Sequence, residues 1–468
     1  MTESARALAE PDRAGAAAVP AAAREAIAAV ADGFAESDAQ LVSTDPLGWP
    51  GYGAQRERAR DRSGEPESVL CGAARIGGRD VELIAFDFRF MGGSMGEAAG
   101  RKITRALDRA VAARRPVVSL VVSGGCRMQE GMRSLVQMQA IAAGCHRLRA
   151  AGLPHIAALR SPTTGGVWAA LAAGADVILA VDGATVAFAG HRVRGAATDD
   201  AEAFTAEGKR AAGQVDAVVA DADLRATLAL AVELLAPSGE AAPAPADVPA
   251  ALGRDDLPAD GWAAVTRARD PGRPRAEAYL DRYFDTRLAL CGDRAGGSDA
   301  GMLCGIGRRG GRAIAYAAQA GVANTPAGYR TATRLIGLAD RLGLPVLTLV
   351  DTPGAANDAP AERAAVGPAI NATFAAVAAA RVPITTLVVG EGGSGGALAL
   401  ASATDMWIAP DGYFAVIAPE AATAILKGAE DDVPQTAERL RLRPQELLGL
   451  GIVQGIAGRE ATPPRTVG

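Results

Sequence analysis

The chain has 468 residues, 49% of them apolar and 22% charged, enough for two or three domains with sizeable cores. A net charge of −5 leaves no basic footprint for nucleic acid or a membrane surface, and no apolar run reaches the ~18 residues that span a bilayer. The first twenty residues lack a signal peptide's apolar middle, so the cytoplasm is the expected compartment.

In chain order, residues 1–36 read as an alanine-rich helical arm, 37–236 as a first domain, 237–261 as an Ala/Pro-rich linker and 262–468 as a second domain. In the first domain an amphipathic helix over 100–114 leads into a buried strand, PVVSLVVSGG from Pro116, that ends in a glycine turn. A second strand, LPHIAAL, runs towards Gly165-Gly166 and a small-residue helix over 167–173, and a third covers 177–181. The second domain repeats this order, with a helix over 329–342, PVLTLVDTPG from Pro345, VPITTLV, Gly395-Gly396, a helix over 397–402 and a strand over 406–409.

The match is a duplication. Pro116 and Pro345, Pro154 and Pro383, Asp176 and Asp405, and Thr104-Arg105 and Thr333-Arg334 all stand 229 positions apart. The Gly165-Gly166 and Gly395-Gly396 pairs stand 230 apart, which reads as a one-residue indel. Alternating strands and helices with short connections give an α/β layered fold in two copies.

A strand that passes through Gly-Gly into a helix presents unpaired backbone N–H groups at the positive end of a helix dipole. Glycine lets a ligand approach them, and such a site stabilises a developing oxyanion without any side chain. One Gly-Gly turn alone is more often a packing device; two equivalent turns in a duplicated chain weigh towards function. Five cysteines (Cys71, Cys126, Cys145, Cys291, Cys304) show no CxxC spacing, and three histidines show no metal-ligand spacing, so no metal is expected. No phosphate-binding G-x-x-x-x-G-K-[ST] loop is present. The lysines Lys102, Lys209 and Lys427 lack the Met-Lys-Met setting of a biotinylation site, so any biotin arrives on another protein.

AFDFRFMGGSMGEAAGRKITRA from Ala85 and SGGCRMQEGMRSLVQM from Ser123 resemble the β subunit of bacterial acetyl-CoA carboxylase carboxyltransferase. TPAGYRTATRLIGLADRLGLPVLTLVDTPGA from Thr325, GEGGSGGALALA from Gly390 and YFAVIAPEAATAIL from Tyr413 resemble its α subunit. The resemblance covers about nine-tenths of the chain, 41–458. It implies two crotonase-like domains in tandem, each a spiral of ββα units. It implies transfer of a carboxyl group from carboxybiotin on a carrier protein to the α-carbon of an acyl-CoA, with acetyl-CoA giving malonyl-CoA expected.

By the same resemblance Gly165 and Gly166 hold the thioester oxygen, and Gly396 and Ala397 the biotin ureido oxygen. Gly124, Gly125, Gly354 and Gly395 shape the site, and Arg127 faces a carboxylate or CoA phosphate. Leu398, Ala399 and Trp168 line the acyl pocket, and Arg101 and Lys102 meet CoA phosphates. For Arg127 an exposed salt bridge, and for Leu398 and Ala399 ordinary helix packing, are the alternatives. The implied partners are a biotin carboxyl carrier protein and a biotin carboxylase, and the implied assembly is a homodimer or larger, with the site between the first domain of one protomer and the second of another.

The sequence departs from the family in three places. It lacks the β subunit's four-cysteine zinc ribbon, it reads ANDAPAERAAVGPA after DTPGA in place of an acidic stretch, and it carries Cys126 and Trp168 where small side chains are usual. Two other readings stand against carboxyl transfer. The long matching strings disfavour a malonate-decarboxylase-like component acting on a carrier thioester. Retention of both turns disfavours an inactive scaffold subunit.

Overall fold

Every residue of Val117–Ser123 and of Val346–Thr352 is buried, as expected of parallel strands covered on both faces, and one sheet is built around each. The computed structural model describes residues 22–190, 200–236 and 243–459. The first 21 residues of the expected arm and the first six of the expected linker lie outside them.

The first sheet comprises β1 (Asp32–Ser37), β2 (Val69–Ile76), β3 (Arg79–Phe86), β4 (Val117–Ser123), β5 (His155–Thr164), β6 (Val177–Val181), β7 (Val186–Ala187) and β8 (Ala217–Val219). Their order is β1-β2-β3-β4-β5-β6-β8, with β7 beside β5. The second sheet comprises β9 (Thr286–Leu290), β10 (Met302–Arg309), β11 (Arg312–Gln319), β12 (Val346–Thr352), β13 (Ile384–Gly393), β14 (Met406–Ile408), β15 (Tyr413–Ala415) and β16 (Gly455–Ile456). It runs β9-β10-β11-β12-β13-β14-β16, with β15 beside β13. In each copy two antiparallel strands precede a helix and a parallel set: Glu97–Ala113 connects β3 to β4, and Pro326–Leu342 connects β11 to β12.

The arm is not helical throughout. Ala23–Val30 forms a helix that buries Ala23, Ala26, Ile27 and Val30, but β1 follows and pairs antiparallel with β2 as the sheet's edge. The charged ends of its sequence, DGFAES, suit an edge strand half open to water.

The two copies share one core. The helix Leu224–Leu235 buries Leu224, Leu228, Val232 and Leu235 in a cluster that contains Leu70, Val118 and Ile156 of the first domain and Leu288, Ile306 and Val346 of the second. Charge pairs cross the same boundary. Asp216 of the first domain accepts from Arg294 and Arg334 of the second, and Asp176 from Arg341. No described helix is long and apolar enough to cross a membrane.

Candidate active site

The two central strands of each sheet end side by side, and their ends build a turn. In the first domain β4 and β5 run in register from Val117–His155 onward, shift by two extra residues on β5, and close with Ser123 opposite Thr163. The Thr164 hydroxyl donates to the Ser123 carbonyl at 3.1 Å, tying the strand ends together. Beyond Ser123 the chain turns through Gly125, whose φ of +101° excludes an ordinary side chain.

The Gly125 carbonyl accepts from the Met95 N–H at 2.8 Å, and the Arg127 N–H donates to the Met95 carbonyl at 2.9 Å. A trans peptide points its C=O and N–H in opposite directions. The Cys126 N–H therefore points away from Met95, and it has no acceptor among the described residues. On that side lies the start of the helix Gly165–Val167. The Gly166 nitrogen is 3.8 Å from where a Cβ on Gly125 would stand, and a Cβ on Gly166 would come within 2.8 Å of Cys126 Sγ. Gly166 is the second residue of that helix, so its N–H lacks an intrahelical acceptor. The Gly165 N–H is already taken by the Phe188 carbonyl at 2.9 Å.

The second domain repeats the construction. Thr352 stands opposite Gly392 after the same two-residue shift, and Gly354 has a φ of +140°. The Gly354 carbonyl accepts from Asn324 N–H at 3.2 Å, which turns the Ala355 N–H towards the helix Ser394–Leu398, again with no acceptor among the described residues. A Cβ on Gly396 would collide with the Ala355 nitrogen and lie 2.7 Å from the Tyr329 hydroxyl. The Gly396 carbonyl is held from below by Gln319 Nε2 at 3.0 Å and by the Tyr329 hydroxyl at 3.1 Å. Burial pushes the Tyr329 phenol up, so it remains a donor.

Strand register removes the expected indel. Thr164 and Gly393, then Gly165 and Ser394, are equivalent at the constant spacing of 229, and both helix-opening residues are left-handed, at +68° and +56°. The structural counterpart of Gly166 is Gly395, and that of Trp168 is Ala397. The sequence comparison aligned glycine with glycine, whereas the strand ends align glycine with serine. The pairings of donors shift as well. Gly165 is engaged, and Ala397 is the fourth helical residue, the position at which a helix first offers an acceptor within its own turn. The unpartnered N–H groups are those of Cys126 beside Gly166 and Ala355 beside Gly396. Cys126 and Ala355 escaped the sequence reading because a backbone donor carries no residue signature; their spacing of 229 from each other, each three residues after Ser123 or Thr352, was the available signal.

Other expected site residues fall differently. Arg127 faces no open cleft: its guanidinium is fully buried between Glu67 and Glu130. Burial opposes its charge, but these carboxylates hold its pKa above the ordinary guanidinium value. Lys102 is also buried, donating to the Val69 carbonyl at 3.3 Å, and cannot reach a CoA phosphate, while Arg101 is exposed. Trp168 packs into the first-domain core in the cluster that contains Leu171 and Val186. Ala399 is fully buried, whereas Leu398 is 45% exposed beside the second turn. The Cys126 thiol is raised by burial, so it is protonated at neutral pH and supplies no base. Among the described residues, no cluster of three or more potential ligands could hold a metal.

Each turn thus sets a strand-end N–H beside an N–H in the first turn of a helix, a geometry that can receive an anionic oxygen. Two family models divide the chain: a carboxyl transferase domain over residues 52–242 and an acetyl co-enzyme A carboxylase carboxyltransferase-like family over 258–462. The acetyl-coenzyme A carboxylase carboxyl transferase subunits beta/alpha of Salinispora arenicola are 39% identical, over 89% of this chain and 78% of that protein. A probable biotin-dependent acyl-coenzyme A carboxylase beta3 subunit of Mycobacterium tuberculosis is 35% identical, over 88% and 85%. Among solved structures, transcarboxylase 12S with methylmalonyl-coenzyme A bound superposes with a TM-score of 0.76 at 23% identity, covering 96% of this chain and 92% of that one. A single-chain long-chain acyl-CoA carboxylase gives 0.74 at 20%, covering 93% of this chain and 44% of that one.

Proposed function

From a chain that belongs to the carboxyltransferase family of biotin-dependent acyl-CoA carboxylases, with fused β- and α-type halves, we propose an enzyme that exchanges a carboxyl group between carrier-borne biotin and acetyl-CoA. The observation that carries this reading is the duplicated turn, one per domain: the equivalent Cys126 and Ala355 N–H groups each face a helix start, at Gly166 in the first and one residue further on, at Gly396, in the second, in a reaction with two oxygens to stabilise. The acetyl preference is supported by the β/α relatives.

In this reading the Cys126 and Gly166 N–H groups receive the thioester oxygen as it becomes an enolate. These donors are fixed before the reaction, so little reorganisation is needed when charge develops. The Ala355 and Gly396 N–H groups receive the biotin ureido oxygen, and Gln319 and Tyr329 hold the Gly396 carbonyl away from it. The second turn fits such a group, because a Cβ at Gly396 would fill the space in front of the Ala355 N–H, whereas Gly395 opens onto free space. Biotin supplies the activated carboxyl and, once that has left, a basic nitrogen. The protein's part is to orient, to exclude water and to hold two oxyanions.

Within one chain the described residues show no hydrogen bond between the two turns. Apolar side chains stand exposed beside each: Met128 at 71% and Met132 beside the first, Val416 at 74% and Ile425 beside the second. These surfaces support a dimer in which the first domain of one copy meets the second domain of another. A biotin carboxyl carrier protein and a biotin carboxylase complete the system.

The test uses Gly166→Val and Gly396→Val chains, each expected to be inactive in carboxyl transfer from malonyl-CoA to biocytin. Refolded together, they should regain up to about a quarter of wild-type activity, since mixed dimers contain one intact pair of turns. Continued inactivity of well-folded mixed dimers would overturn the shared site. Faster transfer from methylmalonyl-CoA than from malonyl-CoA would overturn the acetyl assignment.

A further inference from the structure

The first turn is followed by a buried ionic cluster on Arg127; the buried pair beside the second turn, Arg273 with Asp351, precedes that turn on its strand and does not occupy the equivalent place. The Arg127 side chain is 0% exposed, Glu67 0% and Glu130 1%. Arg127 Nη1 donates to Glu67 Oε2 and Glu130 Oε1, each at 3.1 Å. Its Nη2 donates to Glu67 Oε1, to Ser68 Oγ at 3.2 Å and to the Ser94 carbonyl at 2.7 Å. Glu130 also accepts from the Ser43 and Tyr52 hydroxyls and from the Glu97 N–H. Hydrogen bonding and the charge of Arg127 outweigh burial and hold its pKa below the usual carboxylate range.

Burying one cation with two carboxylates carries a large desolvation cost, and an apolar cluster of similar volume would commonly stabilise a fold as well or better. Stability alone is a poor reason for the arrangement. Its position offers another. The backbone N–H of Arg127 closes the bridge to Met95 that orients the Gly125–Cys126 peptide. Ser134 Oγ joins the same unit, donating to the Met95 carbonyl at 2.6 Å and accepting from the Arg127 N–H at 3.0 Å. With glycine on one side, that peptide could rotate at little steric cost, and rotation would present a carbonyl where the N–H is needed.

In the second copy the positions equivalent to Arg127 and Glu130 are Ala356 and Ala359. There the peptide is held by neutral groups: the Asn324 backbone, and the Thr352 hydroxyl, which donates to the Gly354 carbonyl at 2.7 Å. We propose that Arg127 is a positioning residue for the thioester-oxygen site, its buried ionic cluster locking the Cys126 N–H in line with that of Gly166. The inference rests on the assignment of the first turn to the thioester.

The test compares wild type, Arg127→Met, Arg127→Lys and Ser134→Ala as full chains. Ser134→Ala removes the neutral link without disturbing the charges, so it serves if Arg127→Met fails to fold. Transfer from malonyl-CoA to biocytin should lose about 30- to 100-fold in kcat in Arg127→Met, with both KM values within about threefold. Ser134→Ala should lose about fivefold, and Arg127→Lys should fall between. Amide hydrogen exchange is the second readout: protection over residues 124–134 should drop at least tenfold in Arg127→Met while that over 352–358 stays unchanged. A folded variant with wild-type kcat and wild-type exchange overturns the proposal, as does loosening that is equal in both segments. If wild type itself transfers no carboxyl group, the functional reading fails, yet the exchange measurement still decides whether the cluster locks this peptide.

Discussion

Replacing Gly396 by alanine tests the second turn with a single methyl group. Its Cβ would lie 2.9 Å from the Gly354 carbonyl carbon and nearer still to the Ala355 nitrogen, whereas ordinary Cβ contacts begin at 3.4 Å. Both neighbours are backbone, so the turn must open by at least about 0.5 Å, and the Tyr329 hydroxyl at 2.7 Å must yield too. Displacing a donor by up to about 1 Å costs about 100-fold in rate, or about 2.7 kcal/mol of transition-state stabilisation. Overpacking should cost about 1–3 kcal/mol of stability. Gly166→Ala is the comparison, because its Cβ meets Met138 Sδ at 2.7 Å and Cys126 Sγ at 2.8 Å, both on side chains that can move. Steady-state transfer from malonyl-CoA to biocytin should fall about 100-fold for Gly396→Ala and less than about 10-fold for Gly166→Ala. A folded Gly396→Ala chain that keeps more than a tenth of wild-type kcat would refute the donor geometry at Ala355.

Other consequences follow from the fold. Asp216→Asn weakens the pairs with Arg294 and Arg334 at the domain boundary, where Asp216 is 1% exposed, and should cost about 3–5 kcal/mol in urea unfolding. Burial alone raises the Asp216 pKa, but Arg294 and Arg334 take it below the unfolded value near 3.9. Its contribution is therefore full above about pH 4 and lost as pH falls through the folded value; Asp216→Asn should flatten that acid limb. His155 is buried and lowered to about 4 by that burial. The unfolded chain takes up this proton near pH 6.5 and the folded chain only near 4, so stability should fall between those values. His155→Ile, the residue at the equivalent strand position Ile384, should remove the slope in urea titrations. Gly337 is exposed within the helix Pro326–Leu342, and a Cβ there meets nothing within 4 Å. Gly337→Ala should raise stability by about 0.5–1 kcal/mol in the same assay.

The duplication was legible because buried parallel strands leave near-continuous apolar runs, and PVVSLVV and PVLTLV stand out against the polar helix faces. The glycine turns were legible for the same reason glycine is needed there. Their register was not: Ser394 takes a left-handed conformation that a residue comparison assigns to glycine, and only the strand ends show that Gly165 and Ser394 correspond. The destinations of Arg127 and Lys102 were hidden because Glu67 lies 60 residues away in sequence from Arg127, and charge alone does not name a partner. The two free N–H groups at Cys126 and Ala355 depend on which way a peptide plane faces, set by Met95 and Asn324 across the bridge. β1 was missed because a short, polar edge strand has neither a helical nor an alternating apolar pattern.

The central claim is that this chain moves a carboxyl group between a thioester α-carbon and biotin. The most direct measurement incubates the purified full chain with malonyl-CoA labelled in its free carboxyl and with biocytin, following both acetyl-CoA and labelled carboxybiocytin. The account predicts the two products in equal amounts, with neither formed by Gly396→Val. Acetyl-CoA released without labelled carboxybiocytin, or malonyl-CoA left intact by a folded chain, would contradict it.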